Sequence, residues 1–149
     1  MSQYVTEAEA SAFLTGNILD HEAWENAGSP ERNLALIEAT QAIDRLNFRG
    51  DKNDSVQVLE FPRGTDITVP VEIQNACALE ALLRLDDKTV EDEIENIPAR
   101  NRGFSSVRTT YDREFVQEWI ANGIVSYRAW QFIKSFLRDS RGFKLSRVS

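Results

Sequence analysis

The pair Val69-Pro70 places a helix start at one position and leaves little freedom on either side of it. Proline pushes the preceding residue toward an extended conformation, while its own fixed φ suits a helix entrance. Behind it, Ile73, Ala76, Cys77, Leu79, Leu82 and Leu83 recur at helical spacing over a broad apolar face, so residues 70–85 are expected to be the central helix of the domain. Ahead of it, Phe61-Pro62-Arg63-Gly64 stops the chain and turns it: proline ends whatever precedes, and glycine permits the reversal. A long helix entered through so abrupt a corner needs other helices to cover its wide face.

Those helices are readable on both sides. Thr6-Glu7-Ala8-Glu9 has the capping-box spacing, opening a short helix to about Leu14 that Gly16 closes. Asp20 can cap a second piece, HEAWENA, with Gly28 as its stop. Ser29-Pro30-Glu31 combines a cap, a first-turn proline and a dipole-matched acid, and Leu36, Ala39, Ile43 and Leu46 carry the helix to about Asn47. FRGDKNDS ends it, and VQVLEF reads as a short extended segment. Phe115, Val116, Trp119 and Ile120 mark a further helix stopped near Gly123. Ser126 caps a last one over 126–140, whose apolar residues, among them Trp130, Phe132 and Phe136, cover more than half its circumference. FKLSRVS alternates like a strand. The expected fold is mainly α: a small helical bundle over 1–125, including an acidic linker at 86–99 and a loop or short hairpin at 100–111, followed by a C-terminal helix and extended arm over 126–149.

At 149 residues, with 42% hydrophobic and 28% charged residues, one domain with an ordinary core is expected. No apolar run reaches the roughly 20 residues a bilayer span requires, and MSQYVTEAEA lacks the basic-then-apolar order of a signal, so synthesis in the cytoplasm and no membrane contact are expected. Charge is divided along the chain. Residues 1–99 hold 7 Lys/Arg against 20 Asp/Glu, and residues 100–149 hold 10 against 4, giving an acidic body, a basic end and a net −7. A basic end of this kind suits either nucleic-acid phosphates or an acidic protein surface.

Several chemical motifs start and fail. His21-Glu22-Ala23-Trp24-Glu25 begins like a metalloprotease helix, but a glutamate stands where the second zinc histidine belongs. One cysteine and one histidine supply too few soft ligands for zinc, and DDKTVEDEIEN lacks the glycine and alternating ligands of a calcium loop. Gly50-Asp51-Lys52 lacks the earlier glycine and following hydroxyl of a phosphate loop, and Arg49-Gly50-Asp51 reads as a turn rather than an adhesion signal. No carboxylate pair is singled out, so no enzyme activity, metal or cofactor is expected.

Taken together, Tyr4 to Ala8, Ala39-Thr40 with Ile43-Asp44, Phe48 to Gly50, Phe61 to Arg63, and the proline-opened helix from Pro70 to Leu83 resemble a family of tailed-phage proteins. It is often described as DnaT-like single-stranded-DNA-binding, and many of its members act as head–tail connectors, or adaptors. The resemblance is close over 4–85 and looser beyond. It implies a virion protein that forms a ring, usually of twelve copies, between the portal protein and a tail or nozzle protein, with genome DNA passing through without sequence-specific contact. It also implies a C-terminal segment that grips the portal. Trp130, Phe132, Phe136, Phe143 and Leu145 are its candidate apolar anchors, and Arg138, Arg141, Lys144 and Arg147 its candidate charged contacts. Phe61, Pro62, Arg63, Gly64 and Pro70 would form a structural corner. The acidic bodies predict a monomer or weak oligomer that assembles on the portal. The competing expectation is a single-stranded-DNA-binding replication accessory, in which Arg128, Trp130, Phe132 and Lys134 interleave charge with stacking surfaces.

Overall fold

Thr6 and Glu9 satisfy each other across the first turn: the threonine hydroxyl oxygen accepts from the Glu9 amide, and the Glu9 carboxylate accepts from the Thr6 amide. From this cap α1 runs over Glu7–Asn17, in a computed structural model that describes residues 3–86 and 117–138. α2 spans Glu22–Asn26, α3 Ser29–Asp44, α4 Val71–Leu85, α5 Glu118–Ala121 and α6 Tyr127–Ile133, with one 3-10 turn at Lys134–Phe136. No strand occurs among the described residues, and the chain is a small, mainly helical bundle.

α4 is the centre, packed against α1, α2, α3 and α6. Its wide apolar face explains this: Ile73, Ala76, Cys77, Ala78, Leu79, Ala81 and Leu82 are all buried, so no single neighbour could cover it. Small residues let the long helices approach closely, with Ala35 and Ala39 of α3 buried alongside Ala76 and Ala78 of α4. Between them Thr40 Oγ1 lies 3.3 Å from Cys77 Sγ. Burial pushes the Cys77 thiol up to about 11, so it is a protonated core residue at neutral pH. A thiol-alkylating reagent at neutral pH is expected to modify Cys77 only as fast as the bundle opens. Stoichiometric modification within the mixing time in native buffer would contradict this core.

Some local expectations shift. α1 continues through Gly16 to Asn17. Asp20 does not cap α2; His21 is the cap residue, and its ring nitrogen Nδ1 sits 2.6 Å from the Ile18 carbonyl oxygen. Gly28, not Ser29, is the cap residue of α3, because the Ser29 hydroxyl is drawn across to the Glu7 carboxylate at 2.6 Å. α3 ends at Asp44 rather than Asn47. Pro70 is the residue before α4 rather than its first member, and its carbonyl accepts from the Ile73 and Gln74 amides. VQVLEF is not extended: it forms a turn held by the Asp54 and Gln57 side chains. Ser126 does cap α6, but the helix stops at Ile133 and Leu137 is already extended, because the following backbone bonds to the end of α3 instead of to itself. α6 lies on α4 in the same core as the helices before residue 125. Phe115 and Val116, the 87–99 part of the acidic linker and the 100–111 loop lie outside the described residues.

Candidate functional site: an arginine-tied corner and the basic face of α6

Phe61 is the hub of the corner. It is 3% exposed and meets three rings edge-on: Tyr4 at 6.0 Å between centroids, Phe48 at 4.7 Å and Phe136 at 5.6 Å. Such geometry sets the positive ring edges against the negative faces and adds to the burial itself. The four rings come from the N-terminal segment, the end of α3, the corner and the 3-10 turn. One cluster thus ties the chain's beginning to its late helices.

A polar layer lies over this cluster. The Tyr4 hydroxyl donates to Asp44 Oδ1, and its oxygen accepts from the Glu60 and Phe61 amides at 3.2 and 3.3 Å. Burial pushes both the Tyr4 phenol and the Asp44 carboxyl above their ordinary values, so the phenol remains a donor at any working pH.

The turn after α3 leaves a row of carbonyls pointing outward, and two arginines collect them. Arg63 donates to the Arg49 carbonyl at 3.0 Å, to Phe48 at 3.4 Å and to Gly50, pairs with Glu60 Oε1 at 2.6 Å, and lies 5.9 Å over the Phe48 ring. A planar guanidinium with five donors is suited to such a fan of acceptors. Arg138 approaches from the other side: its amide donates to the Asn47 carbonyl at 2.8 Å, and its guanidinium to Phe48 and Gly50 at 3.4 and 3.5 Å. Arg49 completes the seam, with its amide on the Phe136 carbonyl at 3.0 Å and its guanidinium on Ser135. Gly64, at φ +60, donates to the Asp51 carbonyl and closes the loop neck. Phe61, Pro62, Arg63 and Gly64 therefore lie together against the turn that residues 135–138 bond to, and Pro70 stands at the start of α4.

A second knot fixes the entrance to α6. Glu80 is wholly buried, and its carboxylate accepts from the Val125 amide at 2.9 and 3.1 Å, the Ser126 amide at 2.9 Å and Arg84 at 3.0 Å. Arg84 in turn donates to the Gly123 carbonyl at 3.2 Å. An acid from α4 thus serves as an anion at the start of a distant helix. Arg63 stands in the corner where the sequence places it, whereas Glu80 is a site residue the sequence reading does not name. Glu80 had a signal, since it stands on the stripe of Ile73, Ala76 and Cys77 with an arginine four residues on.

With α6 so placed, its outward face carries Tyr127, Arg128, Gln131, Lys134, Ser135 and Arg138. Among the described residues, Arg128, Lys134 and Arg138 pair with no carboxylate, unlike Arg32, Lys52, Arg63 and Arg84. The result is a basic stripe on an acidic body. Tyr127, 49% exposed, meets the Trp119 ring at 4.5 Å between centroids, the planes tilted by 50°, at one end of it.

The candidate anchors separate. Trp130 is 2% exposed, on the inner face of α6. Phe136 is held against Phe61, and Phe132 lies half-buried beside a surface groove. Trp130 is therefore a core residue on the face of α6 that packs on α4, and Phe136 is half-buried against that core. Arg138 is exposed at the seam, whereas Arg141, Phe143, Lys144, Leu145 and Arg147 lie outside the described residues. Among the described residues no group of side chains could hold a metal ion, and no helix is long and apolar enough to cross a membrane.

A family model described as "Putative DnaT-like ssDNA binding protein" matches residues 2–147. No curated protein and no solved structure gives a significant match.

Proposed function

The chain belongs to the DnaT-like family whose model spans it, and from that premise we propose that it is a structural head–tail connector of a tailed phage. In this reading it is one subunit of a ring, of about twelve copies by resemblance, between portal and tail, and it has no catalytic role. The observation that carries the reading is the seam itself. Arg49 and Arg138 tie residues 135–138 to the turn after α3, and Arg63 ties that turn to the Phe61 corner, so the last described residues before the basic end are held in place. A gripping segment needs such a fixed root, because preorganisation limits the ordering cost of binding. With Trp130 in the core and Phe136 packed on Phe61, the anchor role passes to Phe143 and Leu145, and Arg138, Arg141, Lys144 and Arg147 supply charge for an acidic portal surface.

A second reading, single-stranded-DNA binding, is favoured by the family's description and by the Trp119–Tyr127 pair beside Arg128. An exposed ring next to a cation is the usual stacking element for a base. Against it stand the acidic body and the burial of Trp130, which removes a ring from the basic face.

Deleting residues 142–149 separates the two. Helical content by circular dichroism is expected to stay near parental, while capture by purified portal is lost and particles carrying the truncation keep heads without tails. Parental portal affinity would move the grip elsewhere. Unchanged portal capture together with lost single-stranded-DNA affinity would favour the second reading.

A further inference from the structure

The loop that runs from the turn after α3 through the corner to α4 is inside out. Gln57 is half-buried, its amide donating to the Leu59 and Pro62 carbonyls at 2.8 and 3.1 Å, while Val56 and Val58 on either side are each 81% exposed. Ile67, on the returning limb, is 92% exposed. The valines are not loose. The Val56 amide donates to Asp54, and the neck is closed by Asn53 to Pro62 and Gly64 to Asp51 backbone bonds. Apolar side chains presented on a braced loop, with the polar one turned inward, signal a contact surface. Lys52 and Arg63 both pair with Glu60, which leaves Asp54 and Asp66 beside these side chains with no cation partner among the described residues.

The same molecule carries a receptor of opposite character. A groove of about 490 Å³ between the end of α1, α4 and α6 is lined by Phe13, Ile18, Leu79 and Phe132. Asn17 and Gln131 complete it, and its one charged lining residue is Arg128. Leu79 is eight residues beyond Val71, a rise of about 12 Å along α4, whereas the loop joins that helix at its start.

We infer that the 54–67 loop of one copy docks in the α1–α4–α6 groove of a second copy, with Val56, Val58 and Ile67 on Phe13, Leu79 and Phe132, and Asp54 and Asp66 facing Arg128. The two patches differ, so the contact is head-to-tail, and a contact of that kind closes into a ring or continues as a filament. The inference rests on the connector reading for the purpose of the contact, not for its existence.

Sedimentation velocity on the full chain, without portal or DNA, tests it. The parent is expected to gain mass with concentration. A loop variant, Val58→Lys with Ile67→Lys, and a groove variant, Arg128→Glu with Gln131→Glu, change only exposed residues and are each expected to self-associate about tenfold more weakly or less. Mixed in equal amounts, the two supply one intact loop and one intact groove, and should form pairs that stop at two copies. A parent that stays monomeric into the millimolar range, variants that associate like the parent, or a mixture that stays monomeric would each overturn the inference. Portal capture is scored separately: if portal still assembles rings of the loop variant, the docking mode falls and the connector reading stands. If self-association follows the mixing pattern but portal captures nothing, the docking mode stands and the connector reading falls.

Discussion

Glu80→Ala is expected to lose about 3–5 kcal/mol of stability, because it strands two buried amide donors and takes from Arg84 the nearer of its two carboxylate partners, leaving it Glu38 at 3.6 Å. The carboxylate serves the Val125 and Ser126 amides and Arg84 together, and water cannot replace it at a wholly buried position. Glu80→Gln keeps the volume but presents an NH2 group to N–H donors, so it should recover only part of the loss. Denaturant unfolding reads the effect, and its slope adds a check. If α5 and α6 detach before the rest, the slope should fall or the transition split. A variant within about 0.5 kcal/mol of the parent would mean the α6 entrance is held by something else.

Phe61→Ala is expected to cost about 3–5 kcal/mol, as large aromatic truncations in a closed core do. Its ring is the one that touches Tyr4, Phe48 and Phe136, so the cavity would open at the junction of four chain segments. Phe61→Leu keeps most of the volume and should cost less than half as much. The more telling consequence is directional. With Phe136 losing its partner, cleavage near Ser135 in limited proteolysis should accelerate more than cleavage within α3. A variant that melts like the parent and is cut like it would show that the corner does not root the C-terminal end.

These two residues also mark where the sequence could be read and where it could not. Phe61 was legible, since a phenylalanine before Pro-Arg-Gly in a turn has no reason to exist unless it is buried. The entry to α4, the Thr6–Glu9 box and the Ser126 cap were legible for the same reason: each is satisfied by groups within a few residues. Glu80 was not, because its partners lie 45 and 46 residues away and acids are ordinarily solvated. Arg63 looked like a turn residue, since its acceptors are backbone carbonyls that any sequence would offer. VQVLEF misled through composition. Valines favour strands where a partner strand covers them, and among the described residues none does, so the Asp54 and Gln57 side chains hold a turn instead. The last helix carries apolar residues around more than half its circumference, and α4 covers Trp130 and Ile133 of them. The outward basic residues Arg128, Lys134 and Arg138 stay exposed.

We propose that this chain holds a portal through its C-terminal end, beyond the residues tied to the Phe61 corner. Size-exclusion chromatography with light scattering, run on the full chain with and without purified portal, tests it most directly. The expected result is a monomer or weakly associating species alone, and with portal a single complex whose added mass is a fixed multiple of the chain and is lost on deleting residues 142–149. A chain that never joins the portal peak, yet binds single-stranded oligonucleotide with a salt dependence that Arg128→Glu reduces, would contradict it and leave DNA binding as its function.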